Sequence, residues 1–105
     1  METITVEELK DLRDNGASLL LLDVRERWEY DICHIQGSVN IPMSEIMEKL
    51  DKLERNRNTV VLCHHGMRSL QVANFLENAG FENIINVQGG IAAWAVAIEP
   101  DMPQY

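Results

Sequence analysis

Thr59-Val60-Val61-Leu62-Cys63-His64-His65-Gly66-Met67-Arg68-Ser69 reads as a strand, a tight turn and the first turn of a helix. Thr59 to Cys63 is a continuous apolar run, the pattern of a strand covered on both faces. Ser18-Leu19-Leu20-Leu21-Leu22-Asp23-Val24 has the same character. Buried-type strands alternating with helical patterning predict an α/β fold: a parallel sheet flanked by helices on both faces. Sheets of this kind place ligands beyond the carboxyl ends of their strands. Cys63 stands at such an end.

The rest of the chain supports the alternation. Thr5 and Glu8 have capping-box spacing, and Val6, Leu9 and Leu12 follow at helical intervals until Gly16. Arg25 to Ile32 is expected to form a short helix with Trp28 and Ile32 inward. Ser38-Val39-Asn40-Ile41 is a short strand stopped by Pro42. From there Met43, Ile46, Met47, Leu50 and Leu53 share one helical face, with Glu45, Glu48, Asp51 and Lys52 on the other. A helix from Met67 presents Val72, Phe75, Leu76 and Ala79 and ends at Gly80, a fitting C′ residue. Asn83 to Val87 is a further strand, Gly89-Gly90 a turn, and Ile91 to Ala97 a last helix. Pro100 and Pro103 stop that helix and favour an extended path of the tail over the surface as far as Tyr105. The methionines fall at helical core positions, and Trp28 and Trp94 read as packing residues.

The chain has 105 residues, enough for one compact domain over 1–105. Hydrophobic residues make up 46% and charged residues 25%, the balance of a globular protein. The net charge of -8, with no basic patch, disfavours nucleic acid and anionic membranes as partners. No apolar run approaches the roughly 20 residues of a membrane span, and Met1-Glu2-Thr3-Ile4 carries no secretory signature. Two cysteines cannot frame a disulfide-held fold, and a reducing cytoplasm is the expected location. No dimer seam is evident, so a monomer or weak dimer is expected.

The position of Cys63 gives it chemistry. The thiol lies at the sheet's carboxyl edge, the turn at Gly66 can aim N–H groups inward as an anion nest, and the following helix adds its positive dipole end. These features favour a thiolate, which is the nucleophile. His64, His65 and Arg68 add positive or polarisable groups to the rim. Cys63 is the expected catalytic residue, and His64, His65, Gly66, Met67, Arg68 and Ser69 the expected binding loop for a small anion.

Three blocks together resemble the single-domain rhodanese (thiosulfate sulfurtransferase) family. They are Leu22-Asp23-Val24-Arg25-Glu26 through Glu29-Tyr30 and His34-Ile35-Gln36-Gly37-Ser38-Val39-Asn40-Ile41-Pro42; Cys63 to Ser69; and Gly80-Phe81 through Val87-Gln88-Gly89-Gly90-Ile91 and Trp94. The resemblance implies a rhodanese-like five-stranded parallel sheet, Cys63 as persulfide carrier, and loop amides from His64 to Ser69 that hold an anionic sulfur donor such as thiosulfate. It implies a thiophilic acceptor such as cyanide, a thiol or a protein, and neither metal nor organic cofactor. Asp23 and Arg25 would form supporting ion pairs. The tail resembles those of rhodanese domains fused to enzymes that activate sulfur-carrier proteins. One departure is Cys33, where the family commonly has glycine; it could perturb the turn or serve as a second thiol.

Three other readings compete. A phosphatase or arsenate reductase on the related fold needs an arginine six positions after the cysteine. Here Arg68 is the fifth, and Ser69 the sixth. A non-catalytic rhodanese-like binding module usually lacks the loop cysteine. A zinc site using Cys33, His34, Cys63, His64 and His65 would have neither C-x-x-C nor H-x-x-x-H spacing.

Overall fold

The computed structural model describes residues 1–105. Five strands, β1 (Glu2–Ile4), β2 (Leu20–Asp23), β3 (Val39–Asn40), β4 (Thr59–Leu62) and β5 (Ile84–Val87), form one parallel sheet in the order β1-β5-β4-β2-β3. β4 is central, paired with β2 from Leu20↔Thr59 to Asp23↔Leu62 and with β5 from Thr59↔Ile84 to Val61↔Asn86. That position explains its uninterrupted apolar run: all four of its residues are buried. The edge strand β1 has no counterpart among the strands expected from patterning. It is three residues long and buries only Ile4, too little to show a period.

Alternation along the strands sorts their side chains into two cores. Leu21, Val60, Leu62 and Val87 join Ile4, Val6, Leu9, Ile91 and Trp94 under α1 (Val6–Asp14) and α4 (Gly90–Ala97). Leu22, Val61, Cys63 and Ile84 join Val72, Ala73 and Leu76 of α3 (Met67–Asn78), together with Ile46. Cys63 continues the parity of Val61, so its side chain turns to the α3 face. The capping box of α1 is formed: Glu8 N–H donates to Thr5 Oγ1 and Thr5 N–H to Glu8 Oε1.

Four expectations fail locally. The helix α2 (Arg27–Ile32) exists, but Trp28 is 61% exposed and Ile32 is also exposed. Its buried residue is Glu29, because this short helix sits at the rim of the sheet and turns a carboxylate, not an apolar stripe, towards the interior. The segment after Pro42 forms two 3-10 helices, Met43–Glu45 and Met47–Lys52. With three residues per turn rather than 3.6, the expected apolar face breaks up. Ile46 is buried, Leu50 and Leu53 pack at the margin, and Met43 and Met47 face outward. Exposed Met1, Met43, Met47 and Met67 also end the reading of the methionines as core residues. Met102 alone joins a core, and it draws the tail inward where an extended surface path was expected. Trp94 is buried and its indole N–H donates to Glu99 Oε1 at 3.0 Å.

Candidate active site

Cys63 follows the last residue of β4 and is 1% exposed. The Gly66 N–H donates to its sulfur at 3.0 Å. Gly66 caps α3 with φ 106°, a left-handed conformation that glycine adopts without steric cost, and this turn aims the amide back at the thiol. The thiol donates to Ser69 Oγ at 3.3 Å, and the Ser69 hydroxyl donates to the Gly66 carbonyl at 3.2 Å. Ser69 is therefore an acceptor for the thiol and, after rotation of its hydroxyl, a donor for a thiolate.

A second helix holds the loop from behind. The first amides of α4 have no partner within their own helix. Ile91 N–H donates to the Cys63 carbonyl at 2.9 Å and Ala92 N–H to the His64 carbonyl at 3.0 Å. Gly90 makes this approach possible, since a Cβ there would lie 2.5 Å from Cys63 O and 2.4 Å from His64 O. Gly89-Gly90 was expected only as a turn; it is also the seat of the loop.

The rim differs from a simple cationic ring. Arg68 forms a bidentate pair with Glu29, Nη1 to Oε1 at 2.6 Å and Nη2 to Oε2 at 2.8 Å. These bonds raise the Arg68 pKa. They also hold the Glu29 carboxyl down to about 2, helped by Tyr105 and the Glu26 amide and opposed by burial. The His64 ring is stacked between His65, at 4.0 Å, and Tyr105, at 4.1 Å between centroids. Burial first, then the neighbouring His65, lowers its pKa, which disfavours a positive charge on this ring. His65 and Met67 are exposed on the outer side of the loop.

Asp23 and Arg25 pair as the resemblance implied. Both are fully buried, with Arg25 Nη2 donating to Asp23 Oδ2 at 2.7 Å and Nε reaching both carboxylate oxygens. Arg25 also donates to the carbonyls of Glu29 and Cys33 and to the Tyr105 hydroxyl. Burial acts to lower its pKa, but Asp23 and Tyr105 outweigh it and the net shift is upward. Cys33 has φ -161° and ψ 149°, extended backbone open to any residue, so its replacement of glycine strains nothing. Both cysteines are free and buried, and they belong to two different cores. The residues of the considered zinc site do not converge: no group of three His, Cys, Asp or Glu side chains is placed to hold a metal ion. No helix is long and apolar enough to cross a membrane.

Two contributors to the site escaped sequence reasoning. Glu29 had one signal, a carboxylate between the apolar positions Trp28 and Ile32. Tyr105 had none, because its partners lie 76 to 80 residues away.

Comparison with known proteins agrees with this geometry. The family model for the rhodanese-like domain matches residues 5–97. A Mycobacterium tuberculosis protein named as an adenylyltransferase/sulfurtransferase, MoeZ, is 45% identical over 105 residues, covering 98% of this chain. The chain spans only 27% of the length of that relative. The Bacillus subtilis protein named as a sulfurtransferase, YtwF, is 35% identical and is covered over 96% of its length, with 95% of this chain aligned. The human single-domain sulfurtransferase TSTD1 superposes with a TM-score of 0.85 at 27% identity, over 92% of this chain and 97% of that one. With its cysteine-ended strand, its loop and its full-length match, the chain belongs to the rhodanese-like domain family, a family of sulfurtransferases.

Proposed function

We propose that the protein transfers sulfane sulfur through a persulfide on Cys63. The observation that carries this reading is the seat of the Cys63 sulfur. It is buried at the end of the central strand, bonded by the Gly66 amide and lying against the first turn of α3. A backbone N–H and a helix N-terminus both stabilise negative charge on sulfur. In the first step the Cys63 thiolate attacks the outer sulfur of a donor such as thiosulfate. A new S–S bond forms at Sγ, the old S–S bond breaks, and sulfite leaves with its electron pair. In the second step a nucleophilic acceptor attacks the outer sulfur of the persulfide, and the Cys63 thiolate departs. Covalent catalysis splits one difficult transfer into two easier ones. The loop from His64 to Ser69 would hold the anionic donor, Gly66 and Ser69 by direct bonds at the sulfur. Arg68 would supply a guanidinium already oriented by Glu29. A Bacillus subtilis relative named as a sulfur carrier protein, YrkF, 38% identical over 87% of this chain, supports a protein sulfur carrier as one class of partner.

Phosphoryl or arsenate chemistry fits less well. Arg68 is the fifth residue after Cys63 rather than the sixth, so the loop is one residue shorter than the cradle that chemistry uses. Intact-protein mass spectrometry tests the proposal. Incubation with thiosulfate should add one sulfur atom to the wild type and none to Cys63→Ser. An equal adduct on the variant would assign the sulfur elsewhere, and turnover of p-nitrophenyl phosphate in place of thiosulfate would favour the oxyanion chemistry.

A further inference from the structure

Tyr105 reaches the rim of the Cys63 loop from the far end of the chain. Its hydroxyl stands between two charged groups, donating to Glu29 Oε2 at 2.7 Å and accepting from Arg25 Nη1 at 2.9 Å. Its ring lies nearly parallel to His64, at 15° and 4.1 Å, and meets the exposed Trp28 edge-on at 5.9 Å. Burial, the largest cause, helps to push the phenol up to about 12, so it stays a donor throughout the neutral range. Glu29 is the shared partner. Its Oε2 takes Arg68 Nη2 and Tyr105 together, while Oε1 takes Arg68 Nη1 and the Glu26 amide. The phenol therefore completes the set of donors that holds the Glu29 carboxylate beside Arg68.

We propose that Tyr105 is a positioning residue for sulfur transfer, setting Arg68 through Glu29 and His64 by stacking, so that both rim groups are in place when an anionic donor approaches Cys63. This rests on the assignment of sulfur transfer to Cys63. The two parts of the side chain act on different groups. The hydroxyl governs the Glu29–Arg68 pair, and the ring covers one face of His64. Other charged or titratable groups around His64 are His65, Glu29, Arg68 and Arg25, with the Cys33 thiol lining the same small cavity; the α4 residues beside it, Ile91, Ala92 and Ala95, carry no charge.

Tyr105→Phe removes the hydroxyl and keeps the ring, whereas Tyr105→Ala removes both. Arg25 retains Asp23 and the carbonyls of Glu29 and Cys33 in either variant, so its buried charge stays compensated. Steady-state kinetics with thiosulfate and cyanide should show kcat/KM lowered about threefold in Tyr105→Phe and about tenfold in Tyr105→Ala, mostly through KM, in line with the modest net worth of a hydrogen bond to a charged group. NMR titration of His64 should give the wild-type midpoint in Tyr105→Phe and a higher midpoint in Tyr105→Ala, as the ring gains solvent. Unchanged kinetics in Tyr105→Ala would overturn the proposal. So would slower kinetics with an unmoved His64 midpoint, since Tyr105 would then only fasten the tail. If the wild type itself gains no sulfur on Cys63, the reaction assignment falls, and the His64 midpoints alone decide whether Tyr105 sets the rim.

Discussion

A methyl group at Gly90 would collide with the carbonyl oxygens of Cys63 and His64, at 2.5 and 2.4 Å, from a backbone already at φ +59°. Either the loop or the start of α4 must retreat. Gly90→Ala should therefore lower stability by about 1–3 kcal/mol in urea unfolding, the usual cost of overpacking. It should also slow persulfide formation, because the loop is held by the Ile91 and Ala92 amides. Amide hydrogen exchange checks the cause: those two amides should exchange faster than in the wild type, and unchanged protection would mean that the loop has slack. At this scale Cys63 was legible, since strand end, glycine turn and helix start are contiguous in sequence. The partner of Arg68 was not. Glu29 lies 39 residues away, and no periodicity couples charges across that distance. His64, His65 and Arg68 read as positive or polarisable rim groups; packing gives Arg68 a carboxylate partner and lowers the pKa of half-buried His64.

Elements buried on two faces were the legible ones. β2 and β4 are apolar through Leu20–Leu22 and Val60–Leu62 because the sheet has helices on both sides, and α3 carries its apolar residues at regular helical spacing. Legibility fails where an element is too short for a period to accumulate, as in β1 and α2, or where the period itself changes, as between Met43 and Lys52. The last case makes a sharp comparison. Met43, Ile46 and Met47 were equivalent on an α-helical face, but Ile46 is 2% exposed and Met47 is 73% exposed. Ile46→Ala should cost about 2–5 kcal/mol as a core truncation. Met47→Ala should stay within about 0.5 kcal/mol, as for a surface position. Chemical denaturation of the two variants measures both values, and similar losses would restore the continuous helix.

Across the whole molecule, Glu29 is the knot that ties α2, the start of α3 and the tail to one carboxylate. Five-strand topology was available from the family resemblance, but this tie was not, because it depends on three segments meeting only in the folded chain. Its pH signature follows from the shift. Arg68 chiefly, with Tyr105 and the Glu26 amide, holds the folded Glu29 at about 2, below the ordinary 4.5. In that interval the unfolded state binds more protons than the folded one, so stability falls as pH falls. The contribution of Glu29 is whole above about pH 4.5 and lost towards about pH 2. Other carboxylates titrate over the same range in a chain of net charge -8, and their protonation relieves self-repulsion. That effect is common to wild type and Glu29→Gln, so the difference between the two isolates Glu29. Thermal unfolding midpoints should therefore lie furthest apart near neutral pH, with the wild type higher, and draw together as the pH drops from about 4.5 to 2. Curves that run parallel through that window would show that Glu29 keeps an ordinary pKa in the folded protein, and the knot would be a geometric contact without electrostatic weight.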